Sequence, residues 1–255
     1  MKVTDMPVPI LTYHSIDESG STISTSPQIF RRQMRHLGQA GYRAITLGEF
    51  AEIRNRGEAV SNKLVVLTFD DGFRNFYTYA YPILAEHNFK ATVFLVTDMC
   101  GQHNDWPGNP RDLPRSELLD WDEIRELSEA GIEFGSHTRT HADLTRLNPN
   151  EARNEMIDSA KQISDRLGRE VSTFAYPYGR MNREARRVAF DNFAASCSTN
   201  LGKVGSRFDK AALNRIDTYY LSNERLFELM PTAAFDNYLR LRNAMRRVRS
   251  ILSEH

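Results

Sequence analysis

Leu67–Phe73 reads LTFDDGF, with two carboxylates, Asp70 and Asp71, side by side between an apolar run and a glycine. Adjacent aspartates repel each other, and neither gains from burial alone. A turn would account for them, because Asp and Gly favour turns and Gly72 permits a sharp one. A second cluster changes that reading. SHTRTH places His137 and His141 four residues apart, and on a turn of helix that spacing puts both imidazoles on one face. Two neutral imidazoles and one carboxylate make a common shell for a divalent metal, with a position left open for water. The other carboxylate can then accept a proton from that water. Spacing alone does not say which aspartate does which.

The elements that must position these residues alternate. VPILTYH (Val8 to His14), RAIT, KLVVLTF (Lys63 to Phe69), ATVFLV (Ala91 to Val96), IEFGS, VSTFAYP, AASCS and LNRID read as strands. Between them lie helical patterns. Ser26 and Pro27 open one, LGEFAEIRNRG is another, Asp120 with Glu123 forms a capping box, and Asn148, Pro149 and Glu151 start a helix ending near Gly168. Strand–helix alternation implies a parallel sheet, and about seven or eight strands in one chain of this size favour a barrel. Active sites of such barrels gather at the strand C-termini. Here those ends carry His14, Asp70 with Asp71, His137, and Tyr176 to Gly179. The long Met99–Leu118 segment, which holds Trp106, reads as a functional loop.

Composition bounds the rest. The chain has 255 residues, 40% hydrophobic and 26% charged, and its 33 Lys and Arg balance 33 Asp and Glu. No global field favours nucleic acid or an anionic membrane, and two cysteines do not make a disulfide scaffold. MKVTDMPVPILTYHSI has no signal-peptide core, which gives the expectation of a cytoplasmic protein.

TFDDG followed by SHTRTH resembles the first two motifs of the polysaccharide deacetylases of carbohydrate esterase family 4, the NodB homology domain. The resemblance runs from about Pro9 to about Asp217, and the two motifs together are specific. It implies a distorted (β/α)7 barrel over residues 1–222, a single domain, with 223–255 as a helical extension. It also implies Asp70 as general base, with Asp71, His137 and His141 holding a divalent metal, usually zinc. In the family's third motif an arginine precedes a Pro-Tyr pair. AYPYG keeps Pro177 and Tyr178, whose backbone N–H would hold the oxyanion, but has Ala175 at the arginine position. Arg215 in LNRID is the candidate replacement. The family's late acid histidine has no counterpart after Tyr178. However, LTYHSI resembles the start of the permuted subgroup that deacetylates poly-N-acetylglucosamine, which makes His14 the general acid.

The implied reaction is metal-assisted hydrolysis of an N-acetyl amide on an amino-sugar glycan, oligosaccharide or lipid-linked sugar. Tyr176 and Trp106 are the aromatic candidates for sugar contact. The C-terminal stretch places Tyr238, Leu241, Met245, Val248 and Leu252 at helical spacing among Arg240, Arg242, Arg246, Arg247 and Arg249. Such a basic amphipathic helix suits either packing on the barrel or a peripheral membrane contact. Two other functions fit less of the pattern. One is a related amidohydrolase for a small formamide or cyclic ureide. The other is a carbohydrate-binding barrel without turnover, which would not require the retained base and metal ligands.

Overall fold

The computed structural model describes residues 6–58, 60, 63–110, 113–221 and 223–253, the side chains of 220 and 246–253 excepted. The chain runs β1 (Ile10–Tyr13), β2 (Ser15–Ile16), β3 (Ser24–Thr25), α1 (Pro27–Gln39), β4 (Arg43–Ile45), α2 (Leu47–Asn55) and β5 (Leu64–Phe69). It continues through a π-helical turn at Phe76–Ala80, α3 (Tyr81–Ala85), β6 (Thr92–Leu95), α4 (Trp121–Glu129), β7 (Glu133–Ser136) and α5 (Pro149–Leu167). It ends with β8 (Thr173–Ala175), α6 (Arg183–Asn192), β9 (Ala195–Leu201), β10 (Leu213–Asp217), α7 (Glu224–Glu228) and α8 (Ala233–Ser253).

Seven strands make a closed parallel ring, β1-β10-β9-β8-β7-β6-β5, in which β1 returns to pair with β5. β4 is an eighth strand outside the ring and pairs with the first half of β5. This is the distorted (β/α)7 barrel that the family resemblance implied. The helices begin where their caps are written. Ser26 accepts from the Ile29 N–H, and Asp120 with Glu123 and Asn148 with Glu151 form reciprocal capping boxes. α5 stops at Gly168, whose φ of 65° is left-handed.

Strand side chains alternate in direction. One set, Leu11, Tyr13, Val65, Leu67, Phe69, Val93 and Leu95, packs with Phe30, Met34 and Leu37 of α1, in the layer between barrel and helices. The other set fills the barrel with Ile10, Val66, Phe94, Ala175, Cys197 and Leu213. Phe94 crosses the interior against β7, where a Cβ on Gly135 would lie 2.6 Å from its ring, so only glycine fits there. Following the inward set up each strand gives Ile10, Thr12, His14 on β1, Val66, Thr68, Asp70 on β5 and Leu213, Arg215, Asp217 on β10. The barrel is apolar in the middle and polar at its C-terminal mouth.

α7 and α8 are packed on this body. Phe227, Met230, Phe235 and Leu239 join the same core as α1. Leu241 and Met245 of α8 are 61% and 44% exposed. The side chains of Arg246, Arg247, Val248, Arg249 and Leu252, named in the amphipathic pattern, lie outside the described residues.

The opposite mouth is closed by Glu133, at the start of β7. Its Oε2 accepts the Gly48 N–H at 3.0 Å and the Thr92 hydroxyl at 2.6 Å, and its Oε1 accepts the Thr173 hydroxyl at 3.1 Å. These bonds join α2, β6 and β8 through one carboxylate. Glu133→Ala would strand the donors it serves, and chemical denaturation should read a stability loss of about 1–3 kcal/mol. An unchanged unfolding curve would show that the bonds contribute nothing net.

Candidate active site

Asp70 and Asp71 follow β5 directly and are 4% and 6% exposed. Asp71 and Gly72 both adopt φ of 73°, in the left-handed region. An aspartate tolerates that conformation at a cost, and such strain persists where the surroundings impose it. A Cβ at Gly72 would come within 2.9 Å of Leu95, so the turn needs glycine for space as well as for φ. The turn sends the two carboxylates to different partners.

Asp70 faces Arg215 of β10. Its Oδ1 accepts from one terminal nitrogen of the guanidinium and its Oδ2 from the other, both at 2.7 Å. Arg215 is 3% exposed and also donates Nε–H to the Ser198 carbonyl at 3.0 Å. Burial alone would raise the Asp70 pKa, but the Arg215 charge and its two hydrogen bonds, aided by His137 and His14, hold it below the ordinary carboxylate value. His14, at the end of β1, places Nε2 3.9 Å from Asp70 Oδ2.

Asp71 faces the two imidazoles. Its Oδ1 lies 3.4 Å from His137 Nε2 and 3.2 Å from His141 Nε2. One ligand atom from each of the three residues falls within 4.8 Å of the others. Asp71 Oδ1 is buried without a hydrogen-bond partner. His137 Nδ1 lies 2.7 Å from the Ala175 carbonyl. A carbonyl only accepts, so Nδ1 carries a proton and Nε2 is the nitrogen that faces Asp71. Burial keeps His141 below the ordinary imidazole pKa, in the neutral form that a metal needs. Burial would raise the Asp71 pKa, but the imidazoles hold it well below the usual range. The donor set, its spacing and the orphaned oxygen fit a divalent cation with nitrogen and oxygen ligands.

The histidine pair is not on a helix as its spacing suggested. Residues 137–141 form a loop in which Thr138 and His141 have φ of 68° and 59°. Glu155 of α5 holds that loop from behind. Its Oε2 accepts the N–H groups of Arg139 and Thr140 at 2.9 and 3.0 Å, and its Oε1 accepts the Thr140 hydroxyl at 3.0 Å. Sequence reasoning missed Glu155, because its partners are mostly backbone groups that leave no side-chain signal.

One cavity of about 300 Å³ is lined by His14, Asp70, Asp71, His137, His141, Tyr178 and Arg215, with Trp106 and Tyr176 in its wall. Thr199, Leu201 and Asp217 also line it and were not singled out beforehand. Tyr178 is 37% exposed at a turn with φ of 58°. Tyr176 corrects an expectation: it is 1% exposed, packs on Phe174, and donates its hydroxyl to the Ala211 carbonyl at 2.8 Å. It has no free face for a sugar. Trp106, the other aromatic candidate, is 4% exposed with its ring centroid 4.5 Å from that of His141. Trp106 and Tyr178 flank the His141 ring.

A family model described as polysaccharide deacetylase matches residues 57–192. The Bacillus subtilis (strain 168) protein YxkH is 31% identical over 182 residues, which are 71% of this chain and 60% of that protein. The poly-beta-1,6-N-acetyl-D-glucosamine N-deacetylase of Staphylococcus aureus (strain MRSA252) is 27% identical over 168 residues, 62% of this chain and 55% of its own. The chain thus spans about three-fifths or less of these curated relatives. The structure of the Streptococcus pyogenes deacetylase PplD, in complex with acetate, superposes with a TM-score of 0.74 at 28% identity, covering 84% of this chain and 93% of that one.

Arg215→Gln would leave Asp70 buried without its cation, a change that typically costs about 3–5 kcal/mol. Asp70 has a lowered native pKa, so the stability it gains from Arg215 is full above the unfolded value and fades as the pH falls through the native one. Denaturation curves of wild type and variant should therefore differ most near neutrality and draw together only as the pH falls below the ordinary carboxylate range, through the lowered native value. A gap that does not change with pH would contradict this account of the pair.

Proposed function

The chain belongs to the polysaccharide deacetylase family, and on that premise we propose that it removes acetyl groups from N-acetylglucosamine units of a glycan or glycolipid, releasing acetate and a free amine. The observation that carries this reading is the split of the aspartate pair. Asp71 faces two imidazoles, while its neighbour Asp70 faces Arg215 and His14. The name of the Staphylococcus relative supports the substrate class, and the acetate complex of the Streptococcus deacetylase supports the product.

Asp71, His137 and His141 would hold the cation, and their donor set suits zinc. When bound, it supplies a Lewis acid that polarises a carbonyl oxygen and eases deprotonation of water. Asp70 accepts the proton of the attacking water. Arg215 takes the place of the arginine absent at Ala175, orienting Asp70 and keeping it ionised. The Tyr178 N–H donates to the oxyanion. His14, part-exposed beside Asp70, delivers a proton to the departing nitrogen. An amide needs that proton more than an ester does, because an amine anion leaves poorly. Trp106 shapes the wall that the sugar meets.

A surface feature favours an addition to this reading. Leu241 and Met245 stand exposed one helical turn apart on α8, next to Arg240 and Arg242. We propose that this face rests on an anionic membrane surface at the cytoplasmic side, where lipid-linked substrate would be reached.

Asp70→Asn should lower acetate release from N-acetylglucosamine oligomers by about 10²–10⁴-fold while bound metal, measured by elemental analysis, stays at the wild-type level. A chelator should abolish wild-type activity, and added zinc should restore it. Full activity in Asp70→Asn would refute the base assignment. For the membrane contact, the intact protein should co-sediment with phosphatidylserine vesicles, and Leu241→Ser with Met245→Ser should weaken this without changing acetate release from soluble oligomers. No binding by the intact protein ends that proposal.

A further inference from the structure

His14 projects from a segment with little regular structure of its own. β1 ends at Tyr13, and β2 has two residues. Backbone bonds hold the segment on either side of His14: the Tyr13 carbonyl accepts the Asp70 N–H at 3.0 Å, and the Ser15 N–H donates to the Ile23 carbonyl at 3.2 Å. Asn75, at the N-cap of the π-helical turn after the aspartate pair, adds side-chain links to the residues that follow. Asn75 Oδ1 accepts the Ile16 N–H at 3.0 Å, and Asn75 Nδ2 donates to Ser15 Oγ at 2.6 Å. The Ser15 hydroxyl in turn donates to Asp17 Oδ2. Asp17 Oδ1 accepts the Ser19 N–H and the Ser24 hydroxyl, each at 2.7 Å. The bonds run from the aspartate loop, through the residues after His14, to β3. Ile23, just before β3, lines the cavity.

We propose that Asn75 is a positioning residue that sets where His14 stands relative to Asp70. The proposal rests on the acid and base roles given to those two residues above. Only an amide suits this place. The Ile16 N–H needs an acceptor, whereas Ser15 has committed its one proton to Asp17 and needs a donor. An aspartate at 75 would supply the first and not the second. It would also set a negative charge where Asn75 Nδ2 now lies 3.5 Å from Asp17 Oδ2. Asn75 reaches back 59 residues along the chain to Ile16, so it couples the loop bearing the base to the strand end bearing the acid. A displacement of about 1 Å at such a group is enough to cost up to about 10²-fold in rate.

The test separates positioning from general damage. Misplacing the acid should harm amide hydrolysis, while 4-nitrophenyl acetate, whose leaving group needs no proton, should be spared. In Asn75→Ala, acetate release from N-acetylglucosamine oligomers should fall about 10–100-fold through kcat, with ester hydrolysis within about twofold of wild type and metal content unchanged. Asn75→Asp, though nearly isosteric, should be at least as impaired on the amide. Equal losses on both substrates, or no loss on either, would overturn the proposal. A crystal structure of Asn75→Ala gives a readout independent of turnover: a His14 Nε2 to Asp70 Oδ2 distance still at 3.9 Å would overturn it as well. If Asn75→Ala does not fold, Ser15→Ala removes the acceptor of Nδ2 and should show the same amide-selective loss to a smaller degree. His14→Gln is the reference. Lack of an amide-selective loss there sinks the acid role itself, whereas the crystallographic distance still decides the role of Asn75.

Discussion

Two carboxylates buried next to each other in sequence must each find positive charge of its own. At an effective dielectric near 20, like charges about 4 Å apart repel by about 4 kcal/mol, a large part of a domain's net stability of about 5–15 kcal/mol. The protein meets this constraint by dividing the pair. The left-handed turn at Asp71 and Gly72 aims one carboxylate at Arg215 and the other at His137 and His141. Much of the architecture at the barrel mouth follows. β10 must enter the ring so that Arg215 can reach inward, and β7 must end where His137 can meet Asp71. Beyond it the chain must bend through two left-handed residues, Thr138 and His141, to bring the second imidazole back.

The division also separates the chemistry. A carboxylate held in an arginine fork is ionised and oriented, but it keeps lone pairs for a proton. A carboxylate facing two imidazoles is instead placed to share a cation with them. The same residue type does two jobs because its neighbours differ, as happens wherever paired acids have unlike surroundings.

Much of this was legible in the sequence because it follows local rules. LNRID is β10 residue for residue, and the capping boxes at Asp120 and Asn148 start their helices as written. The polar strand ends marked the mouth of the barrel. The errors arose where a local rule met a tertiary demand. Four-residue spacing suggested a helical turn for His137 and His141, yet α5 supplies Glu155 to stabilise a loop there. Tyr176 shows a signal that was present and unread. Ala175 faces the barrel interior, so strict alternation turns both Phe174 and Tyr176 outward into the layer beneath α5 and α6. Asn75 and Glu155 were hidden for a different reason: their value lies in backbone groups far along the chain, which composition and spacing do not report.

The ring closes at a seam with a bearing on how the molecule is made. β1 stands between β5 and β10, so the first ring strand waits for the last. During synthesis, residues 10–201 can emerge as an open, curved sheet whose β1 and β9 each present an unpaired edge. Arg215 arrives only with the final strand, and the same step that seals the edges neutralises Asp70. Until then Asp70 lacks its arginine partner and two strand edges stay open to mispairing. Closing the ring and giving Asp70 its arginine are therefore one step.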